Sequence, residues 1–89
     1  MHQNLTELSV KLALDTTVKR LPAPQNMKEL GTQARLLATN LGVPASEKIE
    51  IFCIDTDNEK IAIQDDSDLQ MSYALALTSD KKVKFMVAT

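Results

Sequence analysis

Residues 54–69 read IDTDNEKIAIQDDSDL, and their punctuation decides the fold. An apolar alternation ends at Ile54, the turn TDNE follows with Asn58 suited to a left-handed backbone, and KIAI resumes as a short strand. Asp65 or Asp66 then stands where a helix needs an N-cap. The same sixteen positions hold six carboxylates, Asp55, Asp57, Glu59, Asp65, Asp66 and Asp68. Like charges about 4 Å apart repel by roughly 1 kcal/mol in bulk water and about 4 kcal/mol near a protein surface. Such crowding calls for a cationic visitor: a metal ion, a catalytic proton or a basic partner.

Upstream, KIEIFCID is a strand in which Cys53 alternates with Ile49 and Ile51. Cys53 is the sole cysteine, which excludes an internal disulfide and reads as a buried thiol. Further back, Met27, Leu30, Ala34, Leu37 and Leu41 repeat at the spacing of one helical face. Asn26 with Glu29 forms a capping box, and Gly42 and Pro44 stop the helix. In LSVKLALD, Val10, Leu12 and Leu14 face one way and Ser9, Lys11, Ala13 and Asp15 the other. TVKRL returns as the second arm of a hairpin, where Val18 and Leu21 cannot both face inward without a bulge. Downstream, Leu69, Tyr73, Ala76 and Leu77 form the inner stripe of a second helix. KVKFMVA closes as a fifth strand with Val83, Phe85 and Val87 on one face.

Strand, strand, helix, strand, strand, helix, strand predicts an α+β fold, a single mixed five-strand sheet with both helices on one face. That is the order of the ubiquitin-like β-grasp. The 89 residues, 44% hydrophobic and 25% charged, suit one domain over 1–89 with its core at about 8–87. No apolar run of about 18 residues spans a bilayer, and MHQNLTELSV lacks the features of a secretory signal. The chain reads as cytoplasmic, with no membrane role.

The net charge of −2 hides a polarity. Residues 1–46 carry five basic and three acidic side chains, 47–68 two basic and eight acidic, and 69–89 three basic and one acidic. Basic residues are few and have no interleaved aromatics, which speaks against nucleic acid. An EF-hand loop starting at Asp55 fails at its sixth position, Lys60, and its twelfth, Asp66, and its flanks are strands where helices are required. Neither a phosphate loop nor a nucleophile–histidine pair is present, and the only histidine, His2, sits near the N-terminus. The reading is therefore non-enzymatic, with no metal, cofactor or small-molecule substrate. Asp65, Asp66 and Asp68 alone are explained by helix capping. That does not account for Asp55, Asp57 and Glu59, whereas a basic protein partner accounts for both groups if turn and helix start form one ridge.

The whole stretch resembles the acidic OPCA motif of the Phox-and-Bem-one interaction domain: an acidic turn D-x-D-G-D/E, an apolar-x-apolar strand, then D-x-D/E-L opening a helix. Asp55, Asp57 and Glu59 match the turn, Ile61 and Ile63 the strand, and Asp66, Asp68 and Leu69 the helix start. Asn58 stands where glycine is common, Thr56 where another acid is, and Cys53 where an aromatic is. The resemblance runs from about Leu8 to Val87. It implies a partner carrying another such domain, bound front to back, with the acidic face made by Asp55, Asp57, Glu59, Asp66 and Asp68. It further implies a basic face at Lys11 in the first strand, with Lys19 and Arg20 in the second, and hence self-oligomerisation of the kind used in signalling and autophagy scaffolds. Lys28 and Arg35 are expected to be solvated. Another ubiquitin-like domain, such as a caspase-activated-nuclease-type domain, is the alternative; a ubiquitin-like modifier is disfavoured by an ending without Gly-Gly, and a calcium-binding module comes last.

Overall fold

Alternating apolar residues fold Ser9–Leu14 into β1 and Thr17–Leu21 into β2, joined by a two-residue turn in which Asp15 takes a positive φ of 52°. The computed structural model describes residues 5–89, so His2 lies outside the described residues. A short 3-10 turn at Leu5–Glu7 precedes β1. Helix α1 spans Met27–Asn40, β3 Glu50–Ile54, β4 Lys60–Ala62, α2 Asp66–Leu77 and β5 Lys82–Ala88. The strands form one sheet in the order β2-β1-β5-β3-β4. β1 and β5 are parallel and every other pair antiparallel, the mixed sheet expected.

Both helices start by the same device. At α1 the Asn26 side chain accepts the Glu29 N–H at 2.9 Å, while the Glu29 carboxylate accepts the Gln25 N–H. At α2 Asp65, rather than Asp66, is the cap: it accepts the Asp68 N–H at 2.8 Å, and Asp68 accepts the Gln64 N–H. Each pair satisfies N–H groups that have no partner within the helix. Gly42, with φ of 89°, ends α1 in the left-handed region that glycine enters without steric cost.

The core lies between the helices and one sheet face. Val10, Leu12 and Leu14 meet Leu30, Ala34 and Leu37 of α1, Leu69, Tyr73 and Ala76 of α2, and Val83, Phe85 and Val87 of β5. Tyr73 and Phe85 pack edge to face with ring centroids 6.3 Å apart. The Tyr73 hydroxyl donates to the Pro24 carbonyl, so the one polar atom of that side chain has its partner inside.

Several expectations change in detail. Leu41 follows the spacing of the inner face but caps α1, where the chain turns away, and is exposed. Leu77, in the last turn of α2, is only half-buried. β2 needs no bulge: its register runs unbroken from Val10↔Leu21 to Leu14↔Thr17, Leu21 packs on the core, and Val18 faces the bare side. Ala13 belongs to that bare side yet is buried, a small side chain between Val18 and Met86 of the flanking strands. Arg35 does more than face water, since its guanidinium donates to the carbonyls of Glu47 and Pro44 and pins the loop after α1.

Candidate acidic and basic faces

The turn between β3 and β4 is built by Asp55. Its Oδ1 accepts the N–H of Asp57 at 2.9 Å and of Glu59 at 2.8 Å, and backbone bonds between Asp55 and both Asn58 and Glu59 close the loop. Asn58 takes the left-handed conformation, φ 64°, that a glycine would take at no cost. Carboxylate oxygens of Asp55, Asp57 and Glu59 come within 4.8 Å of one another. Asp57 and Glu59 are exposed, and among the described residues no hydrogen bond or ion pair engages their carboxylates. The turn therefore concentrates negative charge on two free side chains held by a third. Three acceptors this close can also hold a cation, so the geometry leaves the calcium alternative to a titration.

The helix-start group is occupied differently. Asp66 accepts the N–H of Met27 at the start of α1, at 2.7 Å, and Asp68 accepts the N–H of Gln64. No hydrogen bond or ion pair among the described residues joins these side chains to the turn; the three-residue strand β4 lies between the two groups in the chain. The acidic character is thus spread along the β4 edge of the sheet, with Asp57 and Glu59 at one end and Asp66 and Asp68 at the other.

Lys11 and Arg20 lie toward the opposite edge, and Lys84 on the central strand, where it pairs with Ile54 just before the acidic turn. Residues directly paired across a sheet share a face, and Lys11 is opposite Arg20 on β2 and Lys84 on β5. These three cations form one row on the face without helices, all exposed. Lys19 pairs with Leu12 and so belongs to the other face, at the margin of the core. Sequence reasoning grouped Lys19 with Arg20 and missed Lys84. Alternation in KVKFMVA puts Lys84 opposite Phe85, but its place beside Lys11 depends on the parallel β1–β5 pairing, which no local pattern announces. Among the described residues the one ion pair is Lys81–Glu7, at 3.1 Å. Among the described residues neither the row nor the turn is ion-paired.

Cys53 is buried beneath α2, where loss of solvation raises the thiol pKa and a hydrogen bond with Ser72 partly offsets it. That environment holds the thiol protonated and unreactive.

No family model and no curated protein matches the sequence. Solved structures do match in fold. The PB1 domain of AtNBR1 in its L-type filament has a TM-score of 0.63 and 21% identity, over 91% of this chain and 94% of that one. The AtNBR1 PB1 domain by itself gives 0.62 and 21%, covering 92% and 96%. The PB1 domain of Cdc24p in solution gives 0.68 at 12% identity, covering 91% and 95%. The structural neighbours are PB1 domains, and the chain has their ubiquitin-like β-grasp fold.

Proposed function

We propose that this chain is a PB1-type protein interaction module that binds another PB1 domain front to back and can assemble with copies of itself. The observation that carries this is the separation of two unneutralised charge clusters to opposite edges of one sheet: Asp57 and Glu59 beside β4, and Lys11 with Arg20 toward β2. Lys11 on β1 stands three strand spacings of about 4.8 Å, roughly 14 Å, from β4, and Arg20 one spacing further; no ion pair among the described residues joins either to Asp57 or Glu59. A contact between unlike surfaces propagates into chains or closes into rings. A neighbour of the same fold is described as a filament, which is consistent with that geometry. Asp55, Asp66 and Asp68 add negative field while serving the local backbone. The module does no chemistry of its own; it works as part of a cytoplasmic scaffold, and its selectivity lies in charge placement and not in a pocket.

Sedimentation of four samples tests the reading: the unaltered domain, Lys11→Ala, Asp57→Ala, and the two variants mixed. The unaltered domain assembles with concentration and loses assembly as salt is raised. Each variant alone is monomeric, and the mixture gives a discrete dimer, because one partner still offers the acidic edge and the other the basic row. An unaltered domain that remains monomeric at high concentration and low salt removes self-assembly and leaves a heterotypic role. Calcium added to the apo domain leaves the amide spectra of residues 55–66 unmoved on this reading; a saturable shift there would favour the cation alternative.

A further inference from the structure

The acidic edge carries apolar side chains that the core does not use. On α2, Met71 and Leu75 are each 62% exposed, and Ile61 of β4 is 45% exposed. At 3.6 residues per turn, Asp68, Met71 and Leu75 fall within about 60° of one another on the helix surface. Which way that face points is settled by its neighbours. Ser72, between it and the buried stripe, lies near enough to Cys53 of β3 to influence its thiol, while Asp66, on the other flank of that stripe, reaches Met27 of α1. The face therefore looks toward β3 and β4, over the edge that also holds Asp57 and Glu59.

The basic edge has the matching arrangement. One step along the strands from the Arg20–Lys11–Lys84 row, the paired residues on the same bare face are Val18, Ala13 and Met86. Val18 is 52% exposed and Met86 half-buried, with no described element laid over them. Two strand residues separate the rows by about 6.8 Å. Along α2 the rise from Asp68 to Met71 is about 4.5 Å and to Leu75 about 10.5 Å, so charge and apolar surface alternate on the two edges over comparable distances.

The geometry points to a second copy of this chain as what covers these residues: we infer that the front-to-back contact has an apolar half, in which Ile61, Met71 and Leu75 of one copy seat on Val18 and Met86 of the next. This rests on the proposed charge pairing and extends it. Charge sets orientation and encounter rate, whereas the water-excluding apolar patch beside it governs how long the contact lasts. Exposed salt bridges contribute little by themselves, and burying these side chains supplies affinity that salt does not screen.

The Lys11→Ala and Asp57→Ala heterodimer tests it, because each face comes from a known partner. Met71→Gln with Leu75→Gln, placed on the Lys11→Ala partner that supplies the acidic edge, should raise the dissociation constant by about tenfold or more. The same pair placed on the Asp57→Ala partner should leave it within about twofold. Val18→Thr should show the reverse, weakening the dimer only on the Asp57→Ala partner. All positions are exposed and the replacements suit helix or strand, and thermal midpoints equal to the parent establish that folding is kept. Equal weakening in both placements, or none in either, overturns the apolar half alone. Two variants that never associate overturn the charge pairing and this inference together.

Discussion

The carboxylate of Asp66, in the first turn of α2, accepts the backbone N–H of Met27 in the first turn of α1 at 2.7 Å. One side chain thus satisfies a free donor at the start of a helix 39 residues away and places negative charge at its positive end. Asp66→Ala should lower stability by about 1 kcal/mol, read as a fall in the urea midpoint with an unchanged slope. An unaltered midpoint would mean that water replaces the carboxylate without loss.

The turn carboxylates divide by task. Asp55 holds two backbone N–H groups, whereas Asp57 and Glu59 hold none. Asp55→Ala should cost about 1–2 kcal/mol of stability. Asp57→Ala should cost none, because it removes a repulsive neighbour within the cluster, and yet should abolish assembly. Thermal melts and sedimentation on the two variants separate structural from binding acids; equal loss of stability in both would refute the division.

Lys11, Arg20 and Lys84 share a row, and Lys19 does not. Lys11→Gln should abolish association as Lys11→Ala does, and replacing Arg20 or Lys84 by glutamine should weaken it several-fold and flatten its dependence on salt. Lys19→Gln should do neither. Association measured at two ionic strengths checks this, and a Lys19 effect as large as that of Lys11 would place the contact around the β2 edge instead of on the bare face.

Tyr73 is fully buried, and its hydroxyl meets the Pro24 carbonyl in the segment leading into α1. Tyr73→Phe keeps the ring packing against Phe85 but leaves that carbonyl without its donor. The expected cost is about 1–3 kcal/mol, measured by chemical denaturation; a phenylalanine variant as stable as the parent would show that the carbonyl gains water.

Burial raises the pKa of both Cys53 and Tyr73, so the folded state holds their protons more tightly than the unfolded chain. Once pH exceeds the ordinary thiol value of 9.0, and then the phenol value of 10.0, the unfolded chain loses protons that the folded one keeps. The unfolded state binds fewer protons there, so stability is full below about pH 8.5 and falls as pH rises further. Urea midpoints between pH 7 and pH 10.5 should show this decline. Cys53→Ala should remove its first part, and a decline unchanged in that variant would assign it to other groups.

The helices, the turn and the strand faces were legible along the chain because their causes are local. A capping side chain acts three residues away, as Asn26 does on Glu29, and the alternation of Val83, Phe85 and Val87 follows from the pleat. The acidic turn was legible for the same reason, since Asp55, Asp57 and Glu59 are near neighbours that one Asn58 conformation draws together. The illegible part concerns ends and edges. Leu41 keeps the helical rhythm one residue beyond the point where the chain departs from the core, and Val18 could be assigned a face only once β2 was in register with β1.

The sequence by itself determined the element order, the inner and outer faces of β1 and β5, and the excess of carboxylates between Asp55 and Asp68. Tertiary structure decided which charges act together. The parallel pairing of β1 with β5 sets Lys84 beside Lys11, hairpin register sets Arg20 instead of Lys19 beside Lys11, and helix packing engages Asp66 at Met27 while leaving Asp57 free. The physical reason is one of range: capping and alternation act over a few residues, whereas the field of a surface sums over strands that meet only after the chain has closed.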